Sequence, residues 1–122
     1  MKDIYTLEVD LKVFERIMQG KCSYIALVNK PARKVYSVGN FIDIKTVIVN
    51  ENGVLKTELV KGKISNLLFF ETVKELIEMI GKEKIGYTKN ANVDKIEDAM
   101  TLSFSNEDIE MYGLVAVEFE LV

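Results

Sequence analysis

Two short stretches hold the residue types best suited to recognising another molecule. The run Asn29-Lys30-Pro31-Ala32-Arg33-Lys34-Val35-Tyr36 concentrates three cations beside an aromatic ring. That combination suits single-stranded nucleic acid, where cations meet phosphates and a ring stacks on a base. The second stretch is Gly20-Lys21-Cys22-Ser23-Tyr24. It supplies a cation, a thiol, a hydroxyl and a phenol in sequence, and Gly39-Asn40 adds an amide at a turn.

The 122 residues include no histidine. Ser-His-Asp and Cys-His catalysis and His-ligated metals are therefore excluded within one chain. Acid–base chemistry at neutral pH would fall to a shifted carboxylate or lysine, to Cys22 or to a tyrosine. Cys22 lacks the usual base, and a lone cysteine is more often a small packing residue. Glu71, Glu75 and Glu78 share a helix face at i, i+4 and i+7, where Lys74 and Lys82 are spaced to pair with Glu78. This pattern describes a solvated surface. We assign no catalytic residue, no metal ligand and no cofactor.

The formal net charge is −3. An acidic chain is poorly matched to tight, non-specific duplex binding, which needs several neutralised phosphates. A local basic patch or a nucleoside-sized ligand remains compatible with it. A single cysteine permits no internal disulfide, as expected of a cytoplasmic protein. No apolar run is long enough to span a membrane.

These residues need a scaffold, and the hydrophobic pattern outlines one domain without repeats or linkers. Tyr5–Val9 alternates as a strand. Asp10 can cap a helix over Leu11–Gln19 with Leu11, Phe14, Ile17 and Met18 as its apolar stripe, ended by Gly20. Ser23–Val28 and Phe41–Val49 read as strands. Asn52-Gly53 signals a hairpin into Val54–Ser65, with Gly62 as a bend or bulge. Helical spacing follows over 71–80, ended by Gly81, and over 93–101, capped by Asn92. Ser105 and Asp108 form a capping pair. Leu114–Val122 closes the chain as a strand with Val115, Val117, Phe119 and Leu121 on one face. Strands that do not alternate with long crossover helices argue for a mostly antiparallel, strongly curved sheet or small barrel.

Read in order, several segments resemble the ASCH family of PUA-like domains. Phe14-Glu15-Arg16-Ile17-Met18-Gln19-Gly20-Lys21 is similar to the family's helix ending in Gly-Lys. Ser37-Val38-Gly39-Asn40-Phe41-Ile42 resembles its Gly-Asp turn. Phe69–Gly86 resembles the helix under the barrel, and Tyr112–Leu121 the closing strand. The resemblance covers nearly the whole chain. It implies an α+β, mainly β fold: a small PUA-like β-barrel of five or six strands with short peripheral helices, its mouth beside Gly20–Tyr24 and Asn29–Tyr36.

It also implies a module that binds RNA or a nucleotide. Some members of the family deacylate a modified cytidine with a lysine, a threonine and a glutamate. Here Cys22 stands at that lysine's position, Ile25 at the Glu/Thr position, Leu27 at an arginine position and Asn40 at the aspartate of the turn. The expectation is therefore a non-catalytic binding module for short single-stranded RNA or a nucleotide-like molecule. Its candidate ligand residues are Lys21, Ser23, Tyr24, Lys30, Arg33, Lys34, Tyr36 and Asn40. The alternatives are an amidohydrolase acting on an acylated nucleoside and a protein-interaction module, such as a dimer formed through an exposed strand edge.

Overall fold

A computed structural model describes residues 5–31 and 36–122. Arg33 and Lys34 lie outside the described residues. The sheet has five strands, β1 (Tyr5–Glu8), β2 (Tyr24–Val28), β3 (Phe41–Val49), β4 (Leu55–Phe70) and β5 (Leu114–Leu121), in the order β1-β3-β4-β5-β2. All pairings are antiparallel except β1 with β3, which is parallel. The described residues include four helices: α1 (Leu11–Met18), α2 (Val73–Ile80), α3 (Val93–Phe104) and α4 (Asn106–Tyr112).

The expected curved sheet is present, as a half-barrel with β1 and β2 as its edge strands. A long β4 makes the curvature possible. Residues 55–63 pair with β3 and residues 62–70 with β5, so the two ends of the sheet are sheared apart. The irregularity in β4 lies between Ile64 and Asn66, and Gly62 keeps regular pairing. β4 also runs on to Phe70, past the expected end at Ser65, because Leu67, Leu68 and Phe70 continue to find apolar neighbours.

Each side of the sheet has its own apolar cluster. On the concave side α1 lays Phe14 and Ile17 against Ile42, Ile44, Ile64, Val117 and Phe119. Leu11 and Met18, the ends of its expected stripe, are exposed. On the other side α2, α3 and α4 cover Leu114, Ala116 and Val28 with Leu76, Ile77, Ile96, Met100 and Ile109. β5 therefore feeds both clusters and reads Leu114-Val115-Ala116-Val117 without alternation, all four buried. Only Leu121 leaves the expected inner face, being 42% exposed.

Capping sets the helix boundaries. Thr72 Oγ1 accepts the Glu75 N–H at 3.1 Å, and Asn92 Oδ1 accepts the Lys95 N–H at 3.2 Å. Ser105 Oγ accepts the Asp108 N–H at 3.2 Å and starts α4, an element hidden in sequence behind its capping pair. At the end of α1, Gly20 adopts φ +76°. Its N–H bonds Ile17 O at 3.0 Å and the Lys21 N–H bonds Arg16 O at 2.9 Å. This double closure turns the chain directly back into β2.

Candidate functional site

The candidate residues divide between the two ends of β2. A row of backbone contacts crosses the sheet at one level. The Ile64 N–H bonds Asn40 O at 2.8 Å, Ile64 pairs with Phe119, and the Phe119 N–H bonds Ser23 O at 3.1 Å. Lys21, Ser23, Tyr24 and Asn40 belong to this level. Asn40 lies three strand spacings from Ser23, roughly 14 Å along the sheet. Lys30 is beyond the opposite end of β2, about seven residues or roughly 23 Å of extended chain from Ser23. One nucleoside-sized hollow cannot be lined by both groups.

Several of these side chains have local duties. Lys30 Nζ lies 3.2 Å from Asp108 Oδ2 and ties the strand end to α4. Asn40 Oδ1 accepts the Ser37 N–H at 2.9 Å and holds the turn into β3. Tyr36 is 7% exposed, and its ring meets Tyr5 edge-on with centroids 5.0 Å apart. That packing places it in the concave core instead of on a surface where bases could stack. Lys21 is exposed and Ser23 partly buried. Cys22 is buried and its Sγ donates to Tyr24 O at 3.4 Å. Burial pushes its thiol above the ordinary value, against the lowering effects of that hydrogen bond and of the nearby Arg16 charge. The thiol is therefore protonated at neutral pH and a poor nucleophile. Lys82, expected to pair with Glu78, donates instead to Ala91 O at 2.6 Å.

Tyr24 leads to a different arrangement. A hollow of about 380 Å³ runs along the seam where the half-barrel fails to close. One wall is the free edge of β2 from Tyr24 to Leu27, and the facing wall is Glu8, Val9, Asp10 and Val13 from the end of β1 and the start of α1. Ile85 and Tyr87 contribute from the turn after α2. Ala99, Met100, Ser103 and Phe104 contribute from α3. The volume is within the range of small-molecule sites, which begins near roughly 300 Å³.

Backbone geometry gives this hollow its polarity. The Phe119–Ser23 and Asn29–Gly113 bonds set the phase of the ladder: Ile25 and Leu27 of β2 point both peptide groups at β5, flanked by the Ser23 carbonyl and the Asn29 N–H. Tyr24, Ala26 and Val28 point theirs away from it. The Tyr24 N–H is taken by Lys84 O at 3.1 Å and the Val28 O by the Lys30 N–H at 2.8 Å. Ala26 keeps a donor and an acceptor with no backbone partner among the described residues, and Ala26 lines the hollow.

The turn carrying Tyr87 is held against α1 at Gly86. This residue has φ +110°, and a Cβ there would come within 2.9 Å of Val13 Cγ2. Only glycine allows both the conformation and the approach. Burial, followed by the charge of Asp10, raises the Tyr87 phenol above its ordinary value. Burial, then its hydrogen bond to Glu118 and that carboxylate's charge, does the same for Tyr24. Both phenols are neutral donors at physiological pH. Glu8, Asp10, Ala26, Tyr87, Ser103 and Phe104 were not candidates by sequence, because they come from four separate segments and carry no shared motif. The Gly86-Tyr87 pair was the one local signal: a glycine fixing an aromatic at a turn.

The fold defines a class. It is a mainly β α+β domain whose half-barrel is consistent with the PUA-like type. Solved structures share this fold. The crystal structure of the hypothetical protein PH0355 superposes with a TM-score of 0.76 at 19% identity, covering 98% of this chain and 100% of that one. The solution structure of protein PF0455 from Pyrococcus furiosus gives 0.72 at 17% identity, covering 98% of each chain. At these identities the likeness concerns the fold alone. No family model and no curated protein matches the chain. Among the described residues there is no cluster of three or more metal-ligating side chains, and no helix is long and apolar enough to cross a membrane.

Proposed function

We propose that the protein is a non-catalytic binding module for a nucleotide or a short single-stranded RNA, and that the base enters the seam hollow. The observation carrying this reading is the Ala26 peptide edge, without a backbone partner among the described residues, facing a half-open hollow beside Tyr24, Tyr87 and Phe104. A free strand edge offers a donor and an acceptor side by side, and a base edge can present their complements. Aromatic side chains supply the apolar contact, and base–aromatic stacking contributes about 1–3 kcal/mol per base.

Charge refines the reading. Glu8 and Asp10 border the hollow, so a phosphate would be repelled from it. The same carboxylates suit the exocyclic amine of cytosine, which acidic side chains accept from. Phosphates would lie outside, toward Lys21 and Lys84, at the Tyr24 end of β2. This division reconciles an acidic chain with a nucleic-acid ligand.

The test is a titration with cytidine-containing oligoribonucleotides at low salt, followed by amide chemical shifts. Binding should shift the Ala26 amide, weaken about tenfold in Tyr87→Ala through lost stacking, and weaken with added salt less in Lys21→Glu than in the parent. The reading falls if nothing binds, or if binding is indifferent to Tyr87→Ala and leaves Ala26 unmoved.

A further inference from the structure

Part of β4 is a further unpaired edge of the sheet. β1 reaches β3 only as far as Lys45, and the last contact of the β5 end with β4 is the Val122 N–H to Lys61 O at 3.1 Å. Residues 46–60 therefore continue as a two-stranded ribbon beyond the five-stranded sheet. A ribbon of two strands is marginal by itself. Its outer face is nonetheless apolar: Val47, Val49, Leu55 and Leu59 are all exposed, Leu55 at 66% and Leu59 at 56%. β-Branched and leucine side chains on an uncovered ribbon are the pattern of a surface that meets another chain.

The ladder shows which groups are free. The Asn50 N–H bonds Val54 O at 3.0 Å and the Ile64 N–H bonds Asn40 O at 2.8 Å, so even-numbered residues of β4 point their peptide groups at β3. Leu55, Thr57 and Leu59 point theirs outward, where no described residue takes them. The sequence along this edge, Leu55-Lys56-Thr57-Glu58-Leu59, is its own complement when reversed.

We propose that residues 55–59 of β4 bind the same segment of a second copy of this chain, antiparallel, about a two-fold axis through Thr57. In that register Leu55 faces Leu59 of the second copy and Thr57 faces Thr57. Lys56 faces Glu58, on the other side of the strand. The three outward-pointing residues fall on the facing pairs that exchange two N–H···O bonds each, as an antiparallel ladder requires. Within one chain Lys56 Nζ already lies 3.5 Å from Glu58 Oε1. Pairing would give each of these charges a second partner of opposite sign. A shift by one residue would lose this match and place the outward peptide groups out of phase. Isologous contact of one patch with itself is the commonest route to a symmetric dimer.

Sedimentation velocity of the full chain, from micromolar to millimolar concentration, tests the pairing. The parent should form a dimer. Lys56→Glu should weaken it about tenfold or more, since two symmetry-related attractions become repulsions. The double exchange Lys56→Glu with Glu58→Lys should restore it. Thr57→Pro should abolish it while leaving the circular dichroism spectrum unchanged, because the lost N–H has no backbone partner among the described residues. A chain that stays monomeric throughout overturns the proposal. So does a dimer indifferent to Lys56→Glu, which would place the contact elsewhere, or a double exchange that fails to rescue while the variant remains folded.

Discussion

Two of the strand edges that lack a neighbouring strand, at Ala26 of β2 and at Leu55–Leu59 of β4, differ in what surrounds them. At Ala26 the edge of β2 is roofed by α3, walled by the β1–α1 junction and closed at one end by the turn through Gly86. At Leu55–Leu59 the edge of β4 is open, with residues 51–59 all exposed. Both present the same chemical groups. The partial cover over the first matches the small, flat ligand proposed for it. Openness leaves the second suited to another strand. The surroundings of an unpaired edge, more than the edge itself, decide what it can recognise.

The largest test of that contrast removes the roof. Leu76 is fully buried beneath α2, in the cluster that holds α2 and α3 on the sheet. Leu76→Ala should lower stability by about 2–5 kcal/mol, read from urea denaturation. Because α3 supplies one wall of the hollow, ligand affinity should fall as well, whereas association through β4 should persist under conditions where the chain remains folded. Equal loss of both properties would mean that the two edges are not independent.

A smaller effect separates adjacent residues of β2. The Leu27 N–H belongs to the β5 ladder, and the Ala26 N–H points into the hollow. Leu27→Pro should therefore lose a buried backbone bond and leave its acceptor unsatisfied, at about 1–3 kcal/mol beyond any steric cost shared with its neighbour. Ala26→Pro should be the milder substitution for stability, and it should remove ligand recognition more completely than its small thermodynamic effect would suggest. If the two prolines destabilise equally, the phase of the ladder is wrong and the donor assigned to the hollow does not face it.

This phase was legible in the sequence only in part. Strand and helix positions followed from apolar spacing, since Phe41–Val49 and the helices starting beside Asn92 and Thr72 have strong local signals. The curved, mainly β architecture followed as well. Hidden from the sequence were the features that depend on distant chain segments: the parallel pairing of β1 with β3, the shear along β4, and the seam between β1 and β2. The basic-aromatic loop drew attention because charges are conspicuous in sequence. In the fold Tyr36 fills the concave core and Lys30 engages Asp108, so that apparent cluster is divided. Tyr24 was the exception. It was selected for its place beside Lys21, and it lines the hollow for a reason that no local pattern carries, the meeting of β2 with the end of β1.

The smallest predicted effect is electrostatic and tests whether the hollow's walls face each other as described. Tyr87 and Asp10 come from segments more than seventy residues apart in sequence, and the Asp10 carboxylate is the second cause, after burial, that raises the Tyr87 phenol. A group whose neutral form is favoured in the folded state holds its proton longer than in the unfolded chain. Its stabilising contribution is therefore complete below the ordinary phenol value of 10.0 and is lost as pH rises through it toward the folded value. Asp10→Asn should lower the folded value without restoring it fully, because burial remains. The midpoint of the Tyr87 ring resonances should move down in an alkaline titration, with that of Tyr24 unchanged, since its own carboxylate partner is Glu118. Movement of neither resonance would separate Asp10 from Tyr87 and open the hollow on the side where a base is proposed to enter. Movement of Tyr87 alone would establish that the β1–α1 junction and the turn after α2 enclose the free edge of β2, which is the feature that sets it apart from the edge of β4.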